Sequence, residues 1–225
     1  MSKILVVAAH PDDELLGIGG IIKKHTIRRD RVQAIIMCEG ESLRYGGNVG
    51  QSEASKNAAK ILGVEKVHAL GLPDQKLDTF TLTEIITKLE VVSEEFKPDI
   101  VYCQSGCDAN RDHKILFEAA NIAFRPTSEW IKEFYCFYTT SSTEWGYPRN
   151  FVPDTWVDIT DVLEDKIKAF ECYESEVREY PHPRSSDSLR HQAHFWGNQC
   201  CMDAAEVLMT IRRCYREGDY YAKNN

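Results

Sequence analysis

The stretch Ile4-Leu5-Val6-Val7-Ala8-Ala9-His10-Pro11-Asp12-Asp13-Glu14 constrains this chain more than any other. Six apolar residues of the kind that fill a strand buried on both faces end in an imidazole and three carboxylates, and Leu15-Leu16-Gly17 then opens a helix. A buried parallel strand delivers polar groups to its C-terminal edge in this way, and open α/β sheets hold their ligands at that edge. His10 and Asp13 suit a first-row metal ion, while Asp12 between them is placed to act as a base on water. A helix cap would need one carboxylate only, not an imidazole, a fixed proline turn and three acids together.

The same alternation recurs along the chain. Residues 31–38 read as a second strand ending in Cys38-Glu39-Gly40-Glu41-Ser42, and residues 43–50 as a glycine-rich loop that carries Arg44 towards a substrate or simply into solvent. A helix over 51–62 stops at Gly63, a short strand around 67–70 turns at Gly71-Leu72-Pro73-Asp74, and residues 81–96 repeat apolar side chains at helical period. Residues 100–103 form the next core strand. Further strands are expected at 130–140 and 156–160, a helix at 161–174, one long helix or a broken pair over 185–214, and a frayed end from 218. The pattern predicts an α/β fold: a Rossmann-like, mostly parallel sheet with helices on both faces, in one domain over 1–225.

The net charge of −8 argues against a non-specific nucleic-acid binder and points to a small-molecule partner. No apolar run approaches the ~20 residues of a membrane span, and residues 1–3 lead straight into a strand, so a cytoplasmic protein with reduced cysteines is expected. The loop 141–153, with Trp145, Tyr147 and Arg149, suits sugar stacking, core packing or the subunit contacts of a homo-oligomer equally well.

A second polar cluster, Gln104-Ser105-Gly106-Cys107-Asp108-Ala109-Asn110-Arg111-Asp112-His113, follows the strand at 100–103 and opens a helix through Ala123. His113 can therefore meet His10 and Asp13 across the sheet edge. Two imidazoles and one carboxylate leave an open coordination position for water, as a hydrolytic zinc ion requires. Asp112 either holds one imidazole in its working tautomer or caps the helix.

Ala9-His10-Pro11-Asp12-Asp13-Glu14, with Asp112-His113 about a hundred residues later, resembles the PIG-L/LmbE-like superfamily of zinc-dependent N-deacetylases. Asp108-x-Asn110-x-Asp112-His113 followed by Ala123-Phe124-Arg125-Pro126, the Pro181-His182-Pro183-Arg184-Ser185 stretch, and Gly197 through Ala204-Ala205-Glu206 are similar to a bacterial branch met among sugar and surface-glycan biosynthesis proteins. The resemblance implies a Rossmann-like fold and hydrolysis of an N-acetyl group from an amino sugar, with zinc on His10, Asp13 and His113 and Asp12 as general base. In many members a histidine three residues before the last metal histidine serves the leaving amine or the oxyanion; here Asn110 stands in that place, and Gln51 stands near a common arginine. Asn donates a hydrogen bond but delivers no proton at neutral pH, so the acid would be Asp12 as a shuttle, or His182, His191 or His194. Arg44, Arg184 and His194 are the expected substrate contacts, His182 and Arg184 being carried over a cleft by two prolines. The alternatives are hydrolysis of another amide or a carbamoyl group, or a metal-retaining protein whose catalysis has decayed. The intact Asp12 argues against decay.

Overall fold

The computed structural model describes residues 1–47 and 49–217, without the side chain of Arg44; the end expected to fray from 218 lies outside the described residues. In chain order the elements are β1 (Lys3–Ala8), α1 (Asp13–Ile27), β2 (Arg31–Cys38), α2 (Ser42–Tyr45), α3 (Gln51–Leu62), β3 (Lys66–Leu72), α4 (Leu82–Phe96), β4 (Ile100–Gln104), α5 (Arg111–Ala123), β5 (Glu133–Phe137), β6 (Thr155–Asp158), α6 (Leu163–Glu171), α7 (Ser186–Asn198) and β7 (Ala205–Arg213). The loop expected at 43–50 thus begins inside the short helix α2. Thr81 and Glu84 form a reciprocal capping box at the start of α4, the local signal that fixes where that helix begins.

The seven strands lie in the order β3-β2-β1-β4-β5-β7-β6. The first five pair in parallel, and β7 pairs antiparallel with both β5 and β6. Strand β1 is central, and Ile4 to Ala9 are fully buried between two apolar layers. One layer packs α1, α3, α6 and α7 through residues such as Leu16, Ile21, Ala58, Phe170 and Leu189; the other packs α4 and α5 through Leu89, Leu116 and Phe124. The mostly parallel sheet with helices on both faces is the architecture the sequence predicts.

Residues 185–214 depart from expectation. They are not a helix pair: the chain leaves α7 and returns as β7 between β5 and β6. Ala205, Glu206, Leu208 and Met209 favour helix in isolation, but the slot beside β5 and a buried charge decide otherwise. Helix α1 kinks at Ile18 (φ −136°, ψ 27°). The Gly20 and Ile21 N–H groups then donate to Glu206 at 2.9 and 2.7 Å, and the Lys166 ammonium, 2.7 Å from Glu206, neutralises the carboxylate. A buried carboxylate with these partners is satisfied only in the strand position.

The kink also brings α1 close to β5. A Cβ on Gly17 would enter the Phe137 ring and lie 3.0 Å from the Tyr138 carbonyl. Gly17→Ala should therefore destabilise the protein by about 1–3 kcal/mol, the usual cost of overpacking a core. Thermal unfolding checks this; an unchanged Tm would show that the α1–β5 contact yields freely.

No helix of the described residues is long and apolar enough to cross a membrane. None of the eight cysteines is in a disulfide.

Candidate active site

The chain runs from β1 to β2 on one side, while β4 lies on the other side of β1, so a crevice opens between the C-terminal ends of β1 and β4. His10 stands two residues beyond β1, and His113 in the first turn of α5, directly after the β4 loop. The sheet brings them together. His10 Nδ1 and Asp13 Oδ2 are 3.2 Å apart, His113 Nε2 and Asp13 Oδ2 3.3 Å, and His113 Nε2 and His10 Nδ1 3.3 Å. Ligand atoms on a tetrahedral ion with bonds of ~2.0–2.1 Å stand roughly 3.3 Å from one another. This near-equilateral triangle of buried donors fits a divalent ion without rearrangement.

Each imidazole is held from behind. His10 Nε2 is 3.2 Å from Asp112 Oδ2 and 3.3 Å from Asp74 Oδ1, and His113 Nδ1 is 3.1 Å from Asp108 Oδ2. Protons on these far nitrogens leave lone pairs on His10 Nδ1 and His113 Nε2, the atoms that face Asp13. Asp112 therefore orients an imidazole rather than capping α5; Asn110 is the cap, its Oδ1 accepting the Asp112 N–H at 2.9 Å. Asp108 is fixed in turn by the Ser142 and Thr143 hydroxyls.

Burial opposes charge on all these groups, but their mutual attraction prevails. Asp13 is held well below the ordinary carboxylate range by His113 and His10, and His113 is pushed up to about 10 by Asp13 and Asp108. Glu14 has no such partner; burial pushes it up to about 8, so it is a neutral acid at pH 7.

Asp12 stands apart from the triangle. It occupies the position before α1 with φ +93°, and its carboxylate makes no capping bond. Its Oδ2 instead accepts from Arg184 Nη1 at 3.0 Å. Arg184, expected as a substrate contact, is thus buried against the carboxylate expected as base. His182 Nδ1 accepts the Arg184 N–H at 3.0 Å, which places the imidazole proton on Nε2. His194 lies exposed on α7, its Nδ1 donating to the Asp203 carbonyl at 2.6 Å, and does not join this cluster. Arg44 is in α2; its side chain lies outside the described atoms.

Sequence reasoning assigned no role to Asp74, Asp108 or Glu176. Asp74 had one usable signal, its place just beyond the end of β3 at the same sheet edge. Asp108 had its place in the Asp108-x-Asn110-x-Asp112-His113 stretch, and Glu176 had none, because it acts from an irregular segment where spacing predicts nothing.

Residues 5–124 match the GlcNAc-PI de-N-acetylase (PIG-L) family. The chain belongs to this family. Outside the PIG-L match the similarity continues: the diacetylchitobiose deacetylase of Thermococcus kodakarensis is 29% identical, covering 94% of this chain and 84% of its own. The conserved protein TT1542 of Thermus thermophilus superposes with a TM-score of 0.78 at 22% identity, over 96% of this chain and 97% of its own. GalB, the 4-carboxy-2-hydroxymuconate hydratase of Pseudomonas putida, superposes at 0.75 and 22% identity, over 96% of this chain and 98% of its own. A chain whose relatives are named as deacetylases of sugar-linked substrates thus has the fold of a protein named as a hydratase, so the fold alone does not choose the chemistry.

Proposed function

We propose that this chain is a metal-dependent hydrolase that removes an N-acetyl group from an amino sugar or its conjugate, with His10, Asp13 and His113 holding zinc. The observation that carries the reading is the donor triangle beside a carboxylate outside it, in a PIG-L chain whose relatives are deacetylases. A bound divalent ion would supply Lewis acidity, polarising the amide carbonyl and acidifying the attacking water. Asp12 takes the proton as the water oxygen bonds to the carbonyl carbon. It returns that proton to nitrogen as the C–N bond breaks, giving the free amine and acetic acid, which loses its proton to water at neutral pH. Asn110 cannot replace it as acid: a neutral amide holds no transferable proton at pH 7, and its oxygen is committed to the Asp112 N–H. His182 offers Nε2–H from the segment that also bears Arg184. The contact between Arg184 and Asp12, 172 residues apart, supports reading the chain as a single catalytic domain over 1–225.

Amine release from N-acetylglucosamine and diacetylchitobiose, with metal analysis before and after chelation, tests the reading. We expect one equivalent of metal, amine release that stops on its removal and returns with zinc. Turnover that survives complete metal loss would refute it. Hydration of an unsaturated acid without amine release would favour the chemistry named for GalB.

The charge state of the triangle yields a pH prediction. With His113 raised to about 10, the metal-free protein carries its proton at neutral pH, and a metal must displace it. Zinc uptake at pH 7 should release at least one proton, and apparent affinity should rise about tenfold per pH unit for each proton displaced. Calorimetry in two buffers of different ionisation enthalpy measures the release. The stabilisation of the metal-free protein by this imidazolium should be complete below the unfolded-state value of ~6.5 and fade as pH rises through about 10.

A further inference from the structure

A base must be aimed, and the backbone of Asp12 does not aim it unaided. A φ of +93° lies in the left-handed region that residues with a side chain adopt uncommonly, Asp among the more tolerant of them. The contact that meets its carboxylate comes from far along the chain. Arg184 Nη1 lies 3.0 Å from Asp12 Oδ2 and 2.5 Å from Glu176 Oε2, and Arg184 Nε donates to Ser141 Oγ at 2.7 Å. Glu176 is almost wholly buried and is itself fixed, its Oε1 accepting from the Tyr45 hydroxyl at 2.8 Å and from Gln51 Nε2 at 2.9 Å. A chain of charge-assisted hydrogen bonds therefore runs from α2 and the start of α3, through Glu176 and Arg184, to Asp12.

We propose that Glu176 and Arg184 are positioning residues of the base: Glu176 holds the guanidinium, and the guanidinium holds the Asp12 carboxylate against its strained backbone. Both lie outside the family match at 5–124, which contains Asp12 but not what holds it. Nη1 and Nε of Arg184 are committed to Asp12, Glu176 and Ser141, so any grip on substrate would fall to Nη2 and leave the positioning contacts in place. The inference rests on Asp12 being the base, and its test keeps the two ideas apart.

Full-length, zinc-loaded Arg184→Ala, Arg184→Lys, Glu176→Gln and Asp12→Asn proteins are compared with diacetylchitobiose as the probe. In Arg184→Ala and Glu176→Gln, kcat should fall on the order of 10²-fold, the cost of a carboxylate misplaced by about 1 Å, with KM and bound metal unchanged. Added guanidinium should restore part of the kcat of Arg184→Ala. A crystal structure of Glu176→Gln should show the Arg184–Asp12 contact lengthened and the Asp12 carboxylate turned; this readout does not depend on the probe being turned over. A raised KM at constant kcat, or an undisturbed Asp12 in Glu176→Gln, overturns the proposal. If Arg184→Ala does not fold, Arg184→Lys and Glu176→Gln decide by the same split between kcat and KM. An Asp12→Asn protein with full kcat instead removes the base reading beneath it.

Discussion

Asp12→Ala should bind metal as the parent does and lose about 10²–10⁴-fold in kcat, the range that a well-placed general base supplies. The two halves of this result have separate causes. Metal is retained because the donor triangle is built from His10, Asp13 and His113, and both imidazoles keep the carboxylates behind them. Turnover is lost because the neighbouring acids are otherwise engaged: Asp13 belongs to the triangle, Asp112, Asp74 and Asp108 stand behind the imidazoles, and Glu14 is a neutral acid at pH 7. Arg184 keeps Glu176 as its partner, so the buried guanidinium is not left uncompensated and the variant should fold. Elemental analysis paired with steady-state kinetics reads both halves, and a fully active Asp12→Ala protein would falsify the base assignment.

His113→Ala should lose metal and turnover together. Two donors remain where three stood, and the imidazole between Asp13 and Asp108 is the largest favourable influence on the Asp13 carboxylate. Without it two buried acids face one another across a cavity, and burial drives them towards protonation, which further disfavours a cation. Asp108→Asn gives the graded comparison. The ligand stays but the group orienting it is weakened, so affinity should drop about 10–100-fold while turnover at saturating zinc largely survives. Competition with a chelating dye measures both. A His113→Ala protein that holds one equivalent of zinc at parental affinity would place the ion elsewhere and remove the donor triangle from the mechanism.

Residues capable of chemistry were legible in the sequence because of where the strands end. Apolar runs at 4–9 and 100–103 each stop at a polar cluster, and a parallel sheet stacks such ends at one edge, so the sequence groups His10, Asp13 and His113. The partners of Arg184 were not legible there. Two prolines and a guanidinium suggest a segment reaching over a substrate, and nothing local in 180–185 indicates that its partners are Asp12 and Glu176. Strand β7 was missed for a related reason, since its helix-forming residues are held extended only by β5, β6 and the Glu206–Lys166 pair.

The sequence alone therefore determined the parallel part of the sheet, its edge and the donor types offered there, because strand periodicity and terminal polar residues are properties of contiguous chain. Only the tertiary structure decided which carboxylate stands behind which imidazole, what the Asp12 carboxylate meets, and how the last strand enters the sheet. Those contacts join residues up to 172 positions apart, and their specificity resides in sheet register and buried charge pairing, which no short stretch of sequence encodes.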